Sequence, residues 1–299
     1  MEKKNKLGYL FVAPYFVVFS IFGLYPILLS LYLSFTNFKG FGSPYDATFV
    51  GFEQYARLLQ DGFFLEAFLN TWKIWGMNII IQLSLAMVLA VIFSDIRLKM
   101  KGTSFFRALF YLPNLITISS VALLFLFILD WQHGSMNAML VKLGIIDAPV
   151  YWLGKPATAQ VSVALIQTWL WFGHTFIMML AGMQGISKDY YEAAMVDGAT
   201  RWQTFWGVTI PLLKPILVYI VITSLIGGLQ LFELPFLISQ NGLGGPDGSL
   251  VTMVLYLYNQ AFKYHNVGYA AAVAYGLFAI ILVFSIIVYR AMFKEAKED

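Results

Sequence analysis

Six long apolar runs constrain this 299-residue chain more than any other feature. They lie near Gly8–Phe35, Thr71–Phe93, Phe105–Leu129, Ala159–Met183, Leu212–Ser239 and Val267–Phe293. Crossing the hydrocarbon core of a bilayer takes roughly 20 apolar residues as helix, because a helix satisfies its own backbone hydrogen bonds where no water reaches. Hydrophobic residues make up 60% of the chain and charged residues 12%, which leaves too little polar sequence to coat a water-soluble core. The expectation is an all-α, polytopic membrane protein with six transmembrane helices in a single domain, residues 1–299. The first run exceeds the apolar stretch of a signal peptide and reads as an uncleaved span.

The placement of lysine and arginine sets an expected orientation. If six helices alternate, Lys3, Lys4, Lys6, Arg97, Lys99, Lys101, Arg107, Lys188, Arg201, Lys214, Arg290, Lys294 and Lys297 all fall on one side. Only Lys39, Arg57, Lys73, Lys142, Lys155 and Lys263 fall on the other. Both termini are therefore expected in the cytoplasm. Basic residues at an anionic inner leaflet account for the net charge of +3 without any nucleic acid. With no cysteine, a thiol nucleophile, a thiolate metal site and a disulfide framework are all excluded. His133, His174 and His265 lie far apart in sequence, and no metal site or catalytic constellation is expected.

The outer loops, Thr36–Asn70, Trp131–Thr158 and Gln240–Asn266, are long, aromatic and glycine-bearing, as a docking surface or an interfacial anchor would be. Pro14, Gly23, Pro26, Pro113, Gly173, Gly227, Gly228 and Pro235 interrupt the spans. Such breaks mark either a solute pathway or kinked packing with small residues at helix contacts.

Between the fourth and fifth runs lies "YYEAAMVDGATRWQTFWGVTIP", an acidic, glycine-punctuated segment starting at Tyr190. Ser187 or Asp189 can cap a helix there, with Glu192 at capping-box spacing from Asp189, and Gly198 can end it in a left-handed conformation. Tyr190, Ala193, Ala194 and Asp197 share one face, whose alanine stubs let another surface approach closely. A second helical segment is expected over Arg201–Val208, ahead of a new span starting at Pro211. Trp202, Phe205 and Trp206 leave a second reading open, an amphipathic helix against lipid headgroups.

Polar groups inside spans are costly against lipid and should face inward. Gln167, Leu170, Trp171 and His174 recur at i, i+3, i+4 and i+7, an amide, an indole and an imidazole on one stripe. Thr223, Gly227 and Gln230 share a face in the fifth run, and Glu233 is the only acid deep within it. Sugars present hydroxyls and apolar C–H faces, which such a mixture binds by hydrogen bonds and ring stacking. The same stripes would also serve as interhelical packing, and Glu233 could pair with another subunit. Asn78, Gln82, Asn114 and Thr117 are further polar candidates.

The inner segment resembles the cytoplasmic signature loop of permease subunits of binding-protein-dependent ATP-binding-cassette importers. The pattern there is Glu-Ala-Ala, three residues, Gly, nine residues, Ile-x-Leu-Pro. It stands here as Glu192-Ala193-Ala194, Gly198 and Val208-Thr209-Ile210-Pro211, with two apolar replacements. "FRALFYLPNLI", "GSMNAMLVKLGI", "LAGMQGISKDYYEAAMVDGA", "GVTIPLLKP", "GLGGP" and "YNQAFKYHNVGYAAA" resemble, in order, segments of the maltose-type carbohydrate permeases. The resemblance implies the MetI-like permease fold, with a core over about 66–293 and a first helix over about 8–35 reaching a partner permease. It also implies a coupling loop over about 186–211 seated in an ATPase subunit. Glu192 would make a charge-assisted contact there, Tyr190, Tyr191, Ala193, Ala194, Met195 and Asp197 would form the docking surface, and Gly198 the turn. The substrate positions of the family fall on Gln167, Leu170, Trp171, His174, Thr223, Gly227 and Gln230; Glu233 is a further candidate, as an acceptor from sugar hydroxyls.

The implied assembly is a bacterial or archaeal plasma-membrane importer. It would hold a second, different permease, two ATPases carrying ATP and magnesium, and an extracytoplasmic binding protein that delivers an oligosaccharide. No Walker-type phosphate loop occurs here, so the chain itself would bind no cofactor and be no enzyme. A glycerol phosphate permease would want a basic group deep in the spans, a secondary transporter would leave the signature loop without purpose, and an intramembrane enzyme would want a metal triad or a paired acid and base.

Overall fold

The computed structural model describes residues 2–94, 102–239 and 242–293. Arg97, Lys99, Lys101, Lys294 and Lys297, counted above on the inner side, and Gln240 of the third outer loop lie outside the described residues. Within them the fold is helical, with one isolated bridge between Thr36 and Phe49. The helices are α1 (Glu2–Phe19), α2 (Tyr25–Ser34), α3 (Glu53–Gln60), α4 (Gly62–Ser94), α5 (Thr103–Tyr111), α6 (Ile118–Ile128), α7 (Ser135–Lys142), α8 (Pro156–Gln184), α9 (Lys188–Val196), α10 (Arg201–Thr204), α11 (Ile210–Leu229), α12 (Glu233–Ile238), α13 (Met253–Tyr258) and α14 (Val267–Phe293). Five stretches are long and apolar enough to cross a membrane, Gly8–Ser34, Gly62–Ser94, Pro156–Gln184, Arg201–Ile238 and Val267–Met292; the bent pair α5–α6 makes a sixth.

Two expected spans are not straight. The run Phe105–Leu129 bends by 92° between α5 and α6. Pro113, which supplies no N–H, sits in a tight turn at Leu112–Leu115, and Thr117 starts a fresh helix by accepting from the Ser120 N–H. The run Leu212–Ser239 likewise unwinds at Gln230–Phe232, between α11 and α12. Irregular backbone at membrane depth is tolerated where it is buried in protein or lines a cavity.

The chain divides into two compact units. One comprises residues 1–64 and 256–279. Its span Gly8–Ser34 is only 6% buried and offers its apolar surface outward. At the end of α3, Asp61 accepts from the backbone N–H groups of Phe63 and Phe64, which caps α4, and from the hydroxyls of Tyr256 and Tyr269. Arg57 lies over the Tyr269 ring at 4.1 Å. Partial burial of Asp61 opposes its ionisation, but the tyrosine and backbone hydrogen bonds outweigh it and hold the carboxyl below the usual range. Burial and the Asp61 bond push Tyr256 up to about 12.

The other unit, residues 65–255 with 280–299, is organised around α8. Val163, Ala164, Ile166 and Leu170 pack with Ile74 of α4, Val121 of α6 and Leu234 of α12. Further along, Phe176, Met179, Leu180 and Met183 pack with Ala86 and Ala90 of α4 and Leu213, Leu217 and Ile220 of α11. Lipid tails are as apolar as leucine, so close approach at small residues takes the place of a hydrophobic drive. Gly173 is the clearest case: a Cβ there would fall 1.8 Å from the Phe110 carbonyl oxygen of α5.

Candidate translocation cavity and coupling loop

Within the α8 unit, a cavity of about 350 Å³ opens between α4, α8, α11 and the unwound joint before α12. Its walls carry Asn78 and Gln82 of α4; Gln167, Trp171, His174 and Thr175 of α8; and Thr223, Ser224, Gly227 and Gly228 of α11, with Gln230, Phe232 and Glu233 at the joint. Seven of the eight expected site residues, Gln167, Trp171, His174, Thr223, Gly227, Gln230 and Glu233, thus meet at one cavity. Leu170 does not. It is 3% exposed and belongs to the core around Ile74 and Val121. At 3.6 residues per turn it stands about 60° to one side of Gln167, on the flank of the stripe that turns toward α4 and α6.

Several lining groups are already partnered. Gln82 Nε2 donates to Thr175 Oγ1 at 2.6 Å, Thr168 Oγ1 donates to Asn78 Oδ1 at 3.0 Å, and Trp75 Nε1 donates to Ser224 Oγ at 3.3 Å. The Thr223 hydroxyl donates back to the Tyr219 carbonyl at 2.8 Å. These bonds stiffen the walls. Two acceptors are left over: the buried Oε1 of Gln167 has no hydrogen-bond partner, and the Glu233 side chain is exposed to the cavity with no bond among the described residues. The Trp171 and His174 rings meet edge to face with centroids 6.1 Å apart and form an aromatic wall. Of the weaker candidates, Thr117 caps α6 instead, and Asn114 is not among the lining residues.

The segment after α8 is a rigid elbow. Ser187 is the N-cap of α9, accepting from the Asp189 N–H, and its hydroxyl donates to the Asp189 carboxylate at 3.0 Å. The Asp189–Glu192 spacing is therefore not used as a box. Gly198 closes the helix with φ +74 in a paired-bond cap, Gly198 N–H to the Met195 carbonyl and Ala199 N–H to the Ala194 carbonyl. A reciprocal box that sequence reasoning missed starts α10, with Thr200 and Gln203 each bonding the other's backbone N–H. Pro211 stands in the first turn of α11, where the new span was expected, but the helix does not break ahead of it. A π-helical turn, Phe205–Thr209, carries α10 into α11, and the wider turn absorbs the hydrogen bond that Pro211 cannot make.

Of the expected coupling residues, Tyr190, Glu192, Ala193, Met195, Asp197 and Gly198 are exposed, while Ala194 is half-buried. Tyr191 is half-buried too, and its hydroxyl lies 3.3 Å from Thr209 Oγ1, so it braces α9 against the start of α11. Helices α8 and α11, which carry the cavity walls, thus join through α9. From Gln167 to Gln184 along α8, and from Gly227 back to Ile210 along α11, the rise is about 25 Å.

Residues 82–295 match the family of binding-protein-dependent transport system inner membrane components. The chain belongs to this family. The permease is 37% identical over 287 residues to a lactose transport system permease of Rhizobium radiobacter, covering 95% of this chain and 93% of the relative. It is 33% identical over 285 residues to an arabinooligosaccharides transport system permease of Bacillus subtilis, covering 95% and 88%. In fold it matches a bacterial alginate importer, solved in complex with a periplasmic protein holding an alginate pentasaccharide, with a TM-score of 0.80 and 24% identity over 99% of this chain and 96% of that one. It is a multi-pass membrane subunit of an ATP-binding-cassette importer.

Three features of the permease site escaped sequence reading. Val196, 88% exposed, adds an apolar group to the free side of α9, and only its position after Met195 in the signature hinted at it. Ser224 and Thr175 line the cavity although they stand one residue from stripe members, because the lining is wider than a single helical row. The unwound joint at Gln230–Phe232 had one signal, the cluster of Gly227, Gly228 and Pro235 around it.

Proposed function

We propose that this permease forms the pathway for an oligosaccharide or similar polyhydroxylated solute, and that α9 conveys the motion of an ATPase to that pathway. The observation that carries the reading is that Gln167, Trp171, His174, Gln230 and Glu233 converge on one cavity whose walls, α8 and α11, meet in one capped helix. Hydroxyls fill the unpaired acceptors, and the indole and imidazole offer a face to sugar C–H groups. The sugar-transport relatives support the same class of solute.

The working assembly is a heterodimer of this chain with a second permease, two ATPases on the cytoplasmic side and an extracytoplasmic binding protein on the outer loops. Both termini and α9 face the cytoplasm of a bacterial or archaeal plasma membrane. ATP and magnesium stay on the ATPases. When these close, a rigid α9 held in their surface moves both cavity walls together, and the cavity faces alternate sides of the membrane. Reconstitution of the assembly in proteoliposomes tests this. Labelled neutral oligosaccharide should enter only with ATP, binding protein and both permeases present; entry driven by this chain alone without nucleotide would refute it.

A further inference from the structure

Resting on the reading of the cavity as a sugar site, we infer that Glu233 makes it a charge filter: uncharged glycans pass, and those bearing carboxylate or phosphate are rejected. Glu233 is exposed to the cavity and makes no hydrogen bond among the described residues, and the lining contains neither lysine nor arginine. Asn78 and Gln82 are neutral amides engaged with Thr168 and Thr175, and His174 is the one basic side chain among the described lining residues.

Hydrogen-bond chemistry points the same way. Gln167 Oε1 is a buried acceptor without a donor, and Glu233 offers two more acceptor oxygens. The Thr223 hydrogen is spent on the Tyr219 and Ile220 carbonyls, which leaves that oxygen as an acceptor too. The wall also carries donors, the Gln167 and Gln230 amide N–H groups and the Trp171 indole N–H, so a ligand that both donates and accepts fits it, with a donor required beside Glu233. Sugar hydroxyls do both. A uronate or sugar phosphate replaces donors with acceptors and adds a negative charge close to Glu233. In a cavity of reduced dielectric, two like charges about 5 Å apart disfavour binding on the order of a hundredfold.

The test uses the complete importer in proteoliposomes and a matched pair, a neutral oligosaccharide and the same compound oxidised to the uronate at C6. The binding protein is saturated with each, as measured separately. The readout is the ratio of uronate to neutral uptake within one preparation, so a loss of assembly cancels. Wild type should favour the neutral compound by about tenfold or more. Glu233→Gln should lower neutral uptake, because an acceptor is lost, yet raise the uronate ratio about tenfold; Glu233→Lys should raise it further. An unchanged ratio in both variants overturns the filter, as does loss of both uptakes in Glu233→Gln with the complex intact. Failure of wild type to move the neutral compound, with ATP turnover normal, would instead strike the sugar reading itself.

Discussion

Replacing Gly198 separates backbone conformation from contact at the end of α9. The residue sits at φ +74, and an added Cβ would meet nothing within 4 Å. Within this chain, a substitution therefore acts through conformation. An L-residue pays about 1–2 kcal/mol in this left-handed conformation, asparagine less and a β-branched residue more. One to two kcal/mol shifts the balance between the capped and frayed helix end about 5–30-fold, enough to release the bonds from Gly198 and Ala199 to the Met195 and Ala194 carbonyls. A frayed α9 still binds an ATPase but transmits less of its motion. In the reconstituted importer, solute moved per ATP hydrolysed should fall in the order Gly, Asn, Ala, Val, with Val at least tenfold below wild type while ATP turnover continues. Equal coupling in all four would refute the rigid-elbow mechanism.

Two other perturbations address the cavity and the Asp61 node. Gly227→Leu places roughly 100 Å³ of side chain in the cavity, about a third of its volume, at a helical position where nothing stands within 4 Å; oligosaccharide uptake should drop at least tenfold while the complex purifies intact. Asp61→Asn should lower the thermal stability of the purified complex at neutral pH by about 1–3 kcal/mol, read as a lower Tm. Because the folded carboxyl is held below its unfolded value, that stability is present above the ordinary aspartate range and lost as pH falls through the folded pKa, so wild type and variant should converge in acid.

Much of this was legible in the sequence, for physical reasons that also explain the failures. Apolar runs longer than a bilayer is thick have one solution, so the spans were readable from length alone. The Gln167–His174 stripe was readable because helical spacing puts i, i+4 and i+7 together whatever surrounds them. Which flank of that stripe met the cavity depended on α4 and α6, and that is where Leu170 was misplaced. The 92° bend after α5 and the joint at Gln230–Phe232 depend on neighbours that re-satisfy freed backbone groups, which hydropathy does not record. Pro211 marked the start of a span, which it does occupy, but gave no sign of the π-helical turn that joins that span to α10.

In this mechanism α9 is the contact through which nucleotide-driven motion enters the permease. Since the chain has no cysteine, Ala193→Cys introduces its sole thiol on an exposed face of α9. Thiol crosslinking in the assembled importer should join Cys at this position to an ATPase subunit, with a yield that changes between nucleotide-free and ATP-bound states. Crosslinks to lipid alone, or a yield indifferent to nucleotide, would contradict the account.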